Sequence, residues 1–304
     1  RDFISKRVAL SRVESYTKLP ESTRMKTASI LRSARFPSLL IACGAAATAA
    51  ASDVTALAEG SLLTVAGDSA ANNVAIIETS AGDVVVVGLS GTTVNGRRAA
   101  VFRAPAFSAA EVRLEDGDDL LVFAGLRLSN DFFVNLGAGA DQLFSGRAPS
   151  SIGNNFTVEG ESGFDVVRLS GTTVAQDLDI SGGIGPLTVD LLAVEAGNNL
   201  TVIGDLLDDS VTIEASSAGA AVSVETKEGA DTVAIAGATA FAVSVMTDAG
   251  VDAVSLSEVS AGEDISVFAG PAADSVDLLE VAAGKNLTVL TDVGDDTVVA
   301  TAAS

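Results

Sequence analysis

Apolar and polar residues alternate in short runs that return at a constant interval over the C-terminal two thirds of the chain. One run is an apolar–polar–apolar triplet such as Leu200-Thr201-Val202. A second run follows an Asp, as in Asp209-Ser210-Val211-Thr212-Ile213. Alternation with a period of two is typical of β-strands. A longer constant period indicates a solenoid, in which each unit stacks on the one before.

The interval is measured on the triplets. Their first residues are Val112, Val134, Phe156, Leu178, Leu200, Val222, Val243, Ile265 and Leu287. Seven of the eight steps are 22 residues long and one is 21. Stacking accounts for this regularity, because an extra residue in one coil would have to bulge out of its neighbours' register.

The runs are too short for helices and are rich in Val, Ile and Thr, which favour strands. A chain that returns to the same place in every unit stacks equivalent strands in parallel, about 4.8 Å apart. The sequence therefore predicts an all-β protein, a single-stranded right-handed parallel β-helix or β-solenoid with about 22 residues per coil. We expect two clear strands per coil and a third, weaker edge near Val194, Val259 and Val281.

The sequence divides the chain into four segments. We expect residues 1–24 to be a non-native upstream or disordered segment and residues 25–51 to be a signal peptide. Residues 52–110 are expected to form irregular N-terminal coils or a cap, and residues 111–304 the regular array. The array stops within the second strand of a coil, so further repeats or an anchoring module are expected beyond it.

The signal peptide is predicted from three consecutive features. Met25-Lys26, Arg32 and Arg35 supply positive charge, an apolar run over 36–42 follows, and Ala49-Ala50-Ala51 ends the segment. This order is typical of a secretory signal, and the location predicted is secreted or at the cell envelope or surface. In an alternative interpretation Cys43 is the lipidated residue of a bacterial lipoprotein, and the lipid would then be the protein's only link to a membrane.

Charge narrows the range of partners. Beyond residue 51 the sequence has 37 acidic residues against nine basic ones. Such a chain cannot neutralise phosphates, so nucleic acid is excluded as a partner, and an anionic membrane surface is disfavoured. Cations are the expected companions, with extracellular polysaccharide or a cell-surface protein as further candidates.

The most regular acids are the Asp residues that open the second run. They are Asp119, Asp141, Asp165, Asp209, Asp231, Asp252, Asp274 and Asp296, and Leu187 stands where another is expected. Stacking places them about 5 Å apart, where two charges repel by roughly 0.8 kcal/mol even in water. One interpretation is an Asx-type cap that accepts backbone N–H groups at a Gly-opened corner. The other is a Ca²⁺ site, since Ca²⁺ prefers oxygen ligands.

Two resemblances bear on this choice. The segment Leu136-Gly137-Ala138-Gly139-Ala140-Asp141 resembles the nonapeptide of RTX-type calcium β-rolls, and this resemblance implies Ca²⁺ as a ligand. A closer similarity, over about residues 110–304, is to secreted or surface bacterial β-solenoids with coils of the form Gly-Asn-Leu-Thr-Val…Gly-x-Asp-Thr-Val. It rests on Gly197–Val202, Gly229–Val233 and Lys285–Val289, and it implies a structural or adhesive role.

Catalysis is not expected. The chain contains no His and one Tyr, which removes the usual acid–base groups. The predicted function is an exported acidic β-solenoid, a non-catalytic structural or adhesion-type cell-surface or extracellular module. One alternative is a Ca²⁺-dependent β-roll-like binding module. The other is a polysaccharide-acting parallel β-helix lyase or hydrolase. Its positively charged uronate-binding residues would have to come from Arg113, Arg127, Arg147 and Arg168, which fall at different positions within their coils.

Overall fold

The computed structural model describes residues 8–9, 52–104 and 107–301. The predicted signal peptide and Cys43 lie outside these residues, as does nearly all of the predicted upstream segment. Every regular element in the described part is a β-strand. In that part of the chain, no helix could span a membrane.

The first sheet has 13 strands and contains the predicted triplets. Ten of its strands run parallel: Leu62–Ala66, Ala109–Arg113, Phe132–Asn135, Phe156–Glu159, Leu178–Ser181, Leu200–Ile203, Ala221–Glu225, Ala242–Met246, Ile265–Phe268 and Leu287–Leu290. A two-residue strand, Val8–Ala9, pairs antiparallel with the last of them. Alternation governs burial, since Leu200 and Val202 are fully buried while Thr201 between them is half-buried.

The second sheet has 12 strands and contains the runs that follow the Asp residues. Its ten parallel strands are Asn73–Glu78, Leu120–Ala124, Gln142–Ser145, Asp165–Ser170, Leu187–Leu192, Ser210–Glu214, Thr232–Ala236, Ala253–Ser257, Ser275–Leu279 and Thr297–Thr301. The chain therefore passes from the first sheet to the second through one repeated corner, which we call the Asp corner.

A third sheet of eight short parallel strands closes the eight coils between the first and the last. They are Arg127–Leu128, Ser150–Ile152, Thr172–Val174, Glu195–Ala196, Ser217–Ala218, Thr239–Ala240, Ser260–Ala261 and Ala282–Ala283. Three of these strands begin one residue after Val194, Val259 and Val281, so the predicted weaker edge is confirmed. The parallel β-solenoid with coils of about 22 residues is confirmed as well.

The register predicted for the first coils is wrong by two residues. Val112 pairs with Val134, and Val134 pairs with Val158, so these valines are third residues of their triplets. The first residues are Ala110 and Phe132. The error arose because a shift of two residues keeps every side chain on the same face of a strand, so the apolar pattern fits both registers.

One coil is consequently longer than the others. Phe132 pairs with Phe156, 24 residues later, whereas Leu121 pairs with Leu143, 22 residues later. The two extra residues lie in the corner Gly146–Pro149, between the second and third sheets. With this register, the triplet begins nine residues before the Asp in every coil that has one, so the Asp corner has a constant length.

Antiparallel strands cover the N-terminal end of the stack. Asp53–Glu59 pairs antiparallel with Leu62–Ala66 in the first sheet, and Thr93–Val94 then pairs with Asp53–Glu59. In the second sheet, Val84–Gly88 pairs antiparallel with Asn73–Glu78, and Ala99–Phe102 pairs antiparallel with Val84–Gly88. Residues 79–104 and 107–108 thus lie in an excursion between the first and second coils.

The core is a narrow column of Val, Leu and Ile side chains from the three sheets. Its largest members are Phe123, Phe132 and Phe156, which are fully buried. The rings of Phe132 and Phe156 stack with centroids 4.7 Å apart, and Phe123 meets both edge-on. Such aromatic contacts add to the burial of apolar area as a source of stability.

Candidate functional site: a buried aspartate ladder

The eight predicted Asp residues lie at the Asp corner, one per coil, and the structure brings them into a single row. Seven of them are almost completely buried, with exposed fractions between 0 and 3%. Only Asp296, in the last coil, is half-buried. The sequence predicted the row of carboxyls along one edge of the coils but not their burial.

Each carboxyl is held by the backbone of the preceding coil. The N–H group of Asp119 donates to Oδ1 of Asp141 at 2.7 Å, and that of Asp209 donates to Oδ1 of Asp231 at 2.7 Å. Corresponding bonds join all the remaining pairs of neighbouring coils but one, with N···Oδ1 distances from 2.6 to 3.2 Å. We call this row of side chain to backbone bonds the Asp ladder.

The ladder refines the capping interpretation. An Asx-type cap accepts an N–H group of its own turn, whereas these Oδ1 atoms accept the N–H group one coil away. Among the residues described, no group of three or more His, Cys, Asp or Glu side chains is placed to hold a metal ion. The Oδ1 atoms therefore cap the stacked backbone of the preceding coil.

The first coil closes the ladder with a different residue. Asn72 occupies the ladder position, and its N–H group donates to Oδ1 of Asp119 at 2.6 Å. Its own side chain turns back into the local loop, where Nδ2 donates to the carbonyl oxygens of Asp68 and Ala70. No coil precedes this one, so no backbone N–H group requires a carboxyl acceptor here. An amide supplies both donors and acceptors, and it can therefore satisfy the polar groups of its own loop.

The coil of Leu187 interrupts the ladder. The N–H group of Asp165 donates to the carbonyl oxygen of Pro186 at 3.0 Å, in place of a carboxyl. The Leu187 side chain is buried in the position of the missing carboxyl. Gly182 opposite it provides the room, because a Cβ there would lie 2.9 Å from that of Leu187.

Glycine at the Asp corner permits this close stacking. A Cβ on Gly163 would lie 1.6 Å from the carbonyl oxygen of Gly139 in the preceding coil. The φ angle of Gly163 is 129°, which other residues rarely adopt. Ala272 replaces the glycine in one coil and takes nearly the same conformation, with φ 132°.

Burial changes the acidity of the ladder. It raises the pKa of Asp119 and Asp165 to about 7, and that of Asp141, Asp209 and Asp252 to about 6, although the backbone N–H bonds oppose the shift. Burial also raises the pKa of Asp231 and Asp274. The physical reason is that an ionised carboxylate loses its hydration in this corner.

The structure does not bring the four predicted arginines together. Arg113, Arg168 and Arg127 lie in the first, second and third sheets, and each forms an ion pair, with Glu111, Asp190 and Glu78 respectively. Arg147 lies in the longer corner Gly146–Pro149. They form no common cation surface of the kind that a uronate-binding enzyme needs.

The Asp corner also carries an apolar surface patch that the sequence did not predict. It consists of Phe164, Ile184, Leu206 and Leu207, whose exposed fractions range from 49 to 74%. All four lie at the Asp corner of three successive coils, and the middle coil is the one that interrupts the ladder. We call this surface the corner patch. The sequence signal was the replacement of small or acidic corner residues by large apolar ones.

No protein-family model, no curated protein and no solved structure matches this chain. Its function must therefore be inferred from the geometry of the coils.

Proposed function

We propose that this protein is an exported acidic β-solenoid that serves as a non-catalytic structural or adhesion-type module, at the cell surface or outside the cell. The observation that supports the proposal best is the Asp ladder. Its carboxyls are the most regularly placed titratable groups of the described residues, and their oxygens accept hydrogen bonds from the backbone of the preceding coil. They stabilise the stack, and a catalytic acid would instead have to face a substrate.

Adhesion requires a contact surface, and the corner patch supplies a candidate. Exposed apolar side chains that cluster in this way often mark sites of interaction. Extracellular polysaccharide or a cell-surface protein is the proposed class of partner, because the acidic surface repels other polyanions. Export itself is supported by the sequence pattern of residues 25–51.

Adhesion can be tested with a double variant, Ile184→Ser with Leu206→Ser. We expect the wild-type chain to bind apolar beads and immobilised bacterial cells, and the double variant to lose most of this binding. Val251→Ser is the matched control, since Val251 is 62% exposed at the same corner outside the patch. Equal binding by wild type and double variant would remove the corner patch from the proposal.

The two alternatives have their own tests. Thermal melting in Ca²⁺ and in EDTA is expected to give the same melting temperature, and a rise of several degrees in Ca²⁺ would support a calcium-binding module.

Incubation with acidic and neutral polysaccharides is expected to release no new reducing ends and no unsaturated uronates. Either product would identify an enzyme.

A further inference from the structure

The Asp ladder has a second property, which concerns the carboxyl oxygen that the backbone does not bind. In six of the eight residues, Oδ2 is buried and has no hydrogen-bond partner: Asp119, Asp141, Asp165, Asp231, Asp252 and Asp274. An ionised carboxylate would carry charge on this bare oxygen, and burying an unpaired charge is costly. A protonated carboxyl keeps the Oδ1 bond to the backbone and avoids that cost.

The charged groups that face the ladder are acids. The neutral side chains of Thr226 and Thr247 also lie against Asp231 and Asp252, where they oppose the rise in pKa. Asp118 faces Asp119 and Asp141, while Asp205 and Asp208 face Asp231. Asp205 also faces Asp209, and ladder neighbours face one another. All of these acids repel a negative charge on the ladder.

The basic side chains of the described residues form their ion pairs away from the ladder. Five ion pairs are found in the described residues, and none of them includes a ladder Asp. Among the described residues, the ladder carboxyls therefore have no Lys or Arg partner that would stabilise their ionised form.

The composition of the chain leaves few side chains that ordinarily titrate near neutral pH. The chain contains no His, which is the side chain that ordinarily titrates between pH 5 and 8. Exposed Asp and Glu are already ionised at pH 5.5, while Lys and Arg stay protonated to pH 9. The pKa values of about 6 to 7 at Asp119, Asp141, Asp165, Asp209 and Asp252 lie between these limits.

We propose that the Asp ladder is a proton-binding switch of the solenoid, protonated in the folded chain in a mildly acidic medium and weakening the contacts between coils as it ionises. The raised pKa values of the buried ladder residues have the direction that this proposal requires. A group whose folded pKa is raised contributes stability that is fully present below the unfolded pKa, about 3.9 for Asp, and is lost as the pH rises through the folded value. For this ladder the loss occurs between about pH 4 and pH 7 and is complete by about pH 8.

The first test is the melting temperature of the full chain at pH 5.5 and pH 8.0, at one ionic strength. We expect the melting temperature at pH 8.0 to be lower by about 10 °C, since several shifted carboxyls act together in one domain. Exposed carboxylates do not account for such a change, because they carry the same charge at both values. Equal melting temperatures would overturn the proposal.

Variants assign the effect to the ladder. Asp141→Asn and Asp231→Asn keep an Oδ1 acceptor for the backbone but cannot ionise, so each is expected to reduce the difference between the two pH values by a measurable share. Asp277→Asn is the matched control, since Asp277 is exposed on the strand Ser275–Leu279 and its variant should keep the full difference. An undiminished difference in both ladder variants would overturn the assignment.

A measurement on the wild-type chain covers the case in which a ladder variant fails to fold. Carboxyl ¹³C NMR of the full chain, followed from pH 3 to pH 9, is expected to show a group of Asp signals that titrate near pH 6–7 while the protein stays folded. If every Asp signal titrates below pH 5, the ladder is ionised at neutrality and the switch does not exist.

Discussion

The coil of Leu187 and its neighbours use the same corner in two ways. In the coil of Asp165, a buried carboxyl binds the backbone N–H group of Asp141. In the coil of Leu187, a buried apolar side chain takes the place of that carboxyl, and the N–H group of Asp165 finds the Pro186 carbonyl instead. The two solutions satisfy the same donor, but only the first places a titratable group inside the fold.

The sheet is longer where the carboxyl is absent. Asp165–Ser170 and Leu187–Leu192 are six-residue strands that pair along their whole length, while the later strands of the second sheet have five residues. Extra backbone pairing therefore accompanies the missing ladder bond. The ladder is therefore one of two ways to fix this corner, and stacking of the backbone is common to both.

The largest effect is expected from the corner glycines. Gly163→Ala places a Cβ 1.6 Å from the Gly139 carbonyl oxygen, and Gly185→Ala places one 1.9 Å from that of Gly163. We expect each to reduce the free energy of unfolding by about 3–5 kcal/mol, as measured by urea titration. Gly171→Ala is the control, because φ is 57° there and no atom lies within 4 Å; it should cost only about 1–2 kcal/mol. A large cost at Gly163 alone would show that the two coils stack differently.

An intermediate effect is expected when a carboxyl is introduced into the interrupted coil. Leu187→Asp should lower the free energy of unfolding by about 2–4 kcal/mol at pH 5.5, because the nearby donor already binds Pro186. The loss should be larger at pH 8.0, where the new carboxyl must ionise. Leu187→Asn is the matched control, and it should cost the same at both pH values. A Leu187→Asp variant as stable as wild type would mean that the ladder can pass through this coil.

The smallest effect is expected from the ion pair that spans the interruption. Arg168 and Asp190 pair at 2.7 Å between the coils of Asp165 and Leu187, and both side chains are partly exposed. Arg168→Gln should cost less than about 1 kcal/mol, and the cost should vanish in 1 M NaCl. A larger, salt-independent cost would indicate that Arg168 contributes through its packing on Phe144, 5.8 Å away.

The sequence predicted the strands, their stacking and the row of Asp residues, because all three follow from one repeated pattern. It could not settle the register of the first coils, since Val112 and Ala110 point to the same side of one strand. It also could not place Asp141 inside the fold, because an Asp at a Gly-rich corner is normally exposed. That burial depends on the backbone of the coil before it. The sequence did not predict the corner patch, because Ile184 and Leu206 occupy equivalent positions in successive coils only after stacking.

The antiparallel strands at the N-terminal end give the stack a direction. Asp53–Glu59 and Val84–Gly88 fold back on the first coil through local hairpins, which form quickly because their partners are near in sequence. Later coils have no such local partner, and each is stabilised by contact with the coils beside it. Assembly can therefore begin at this end and proceed one coil at a time, in the order in which the chain leaves the ribosome.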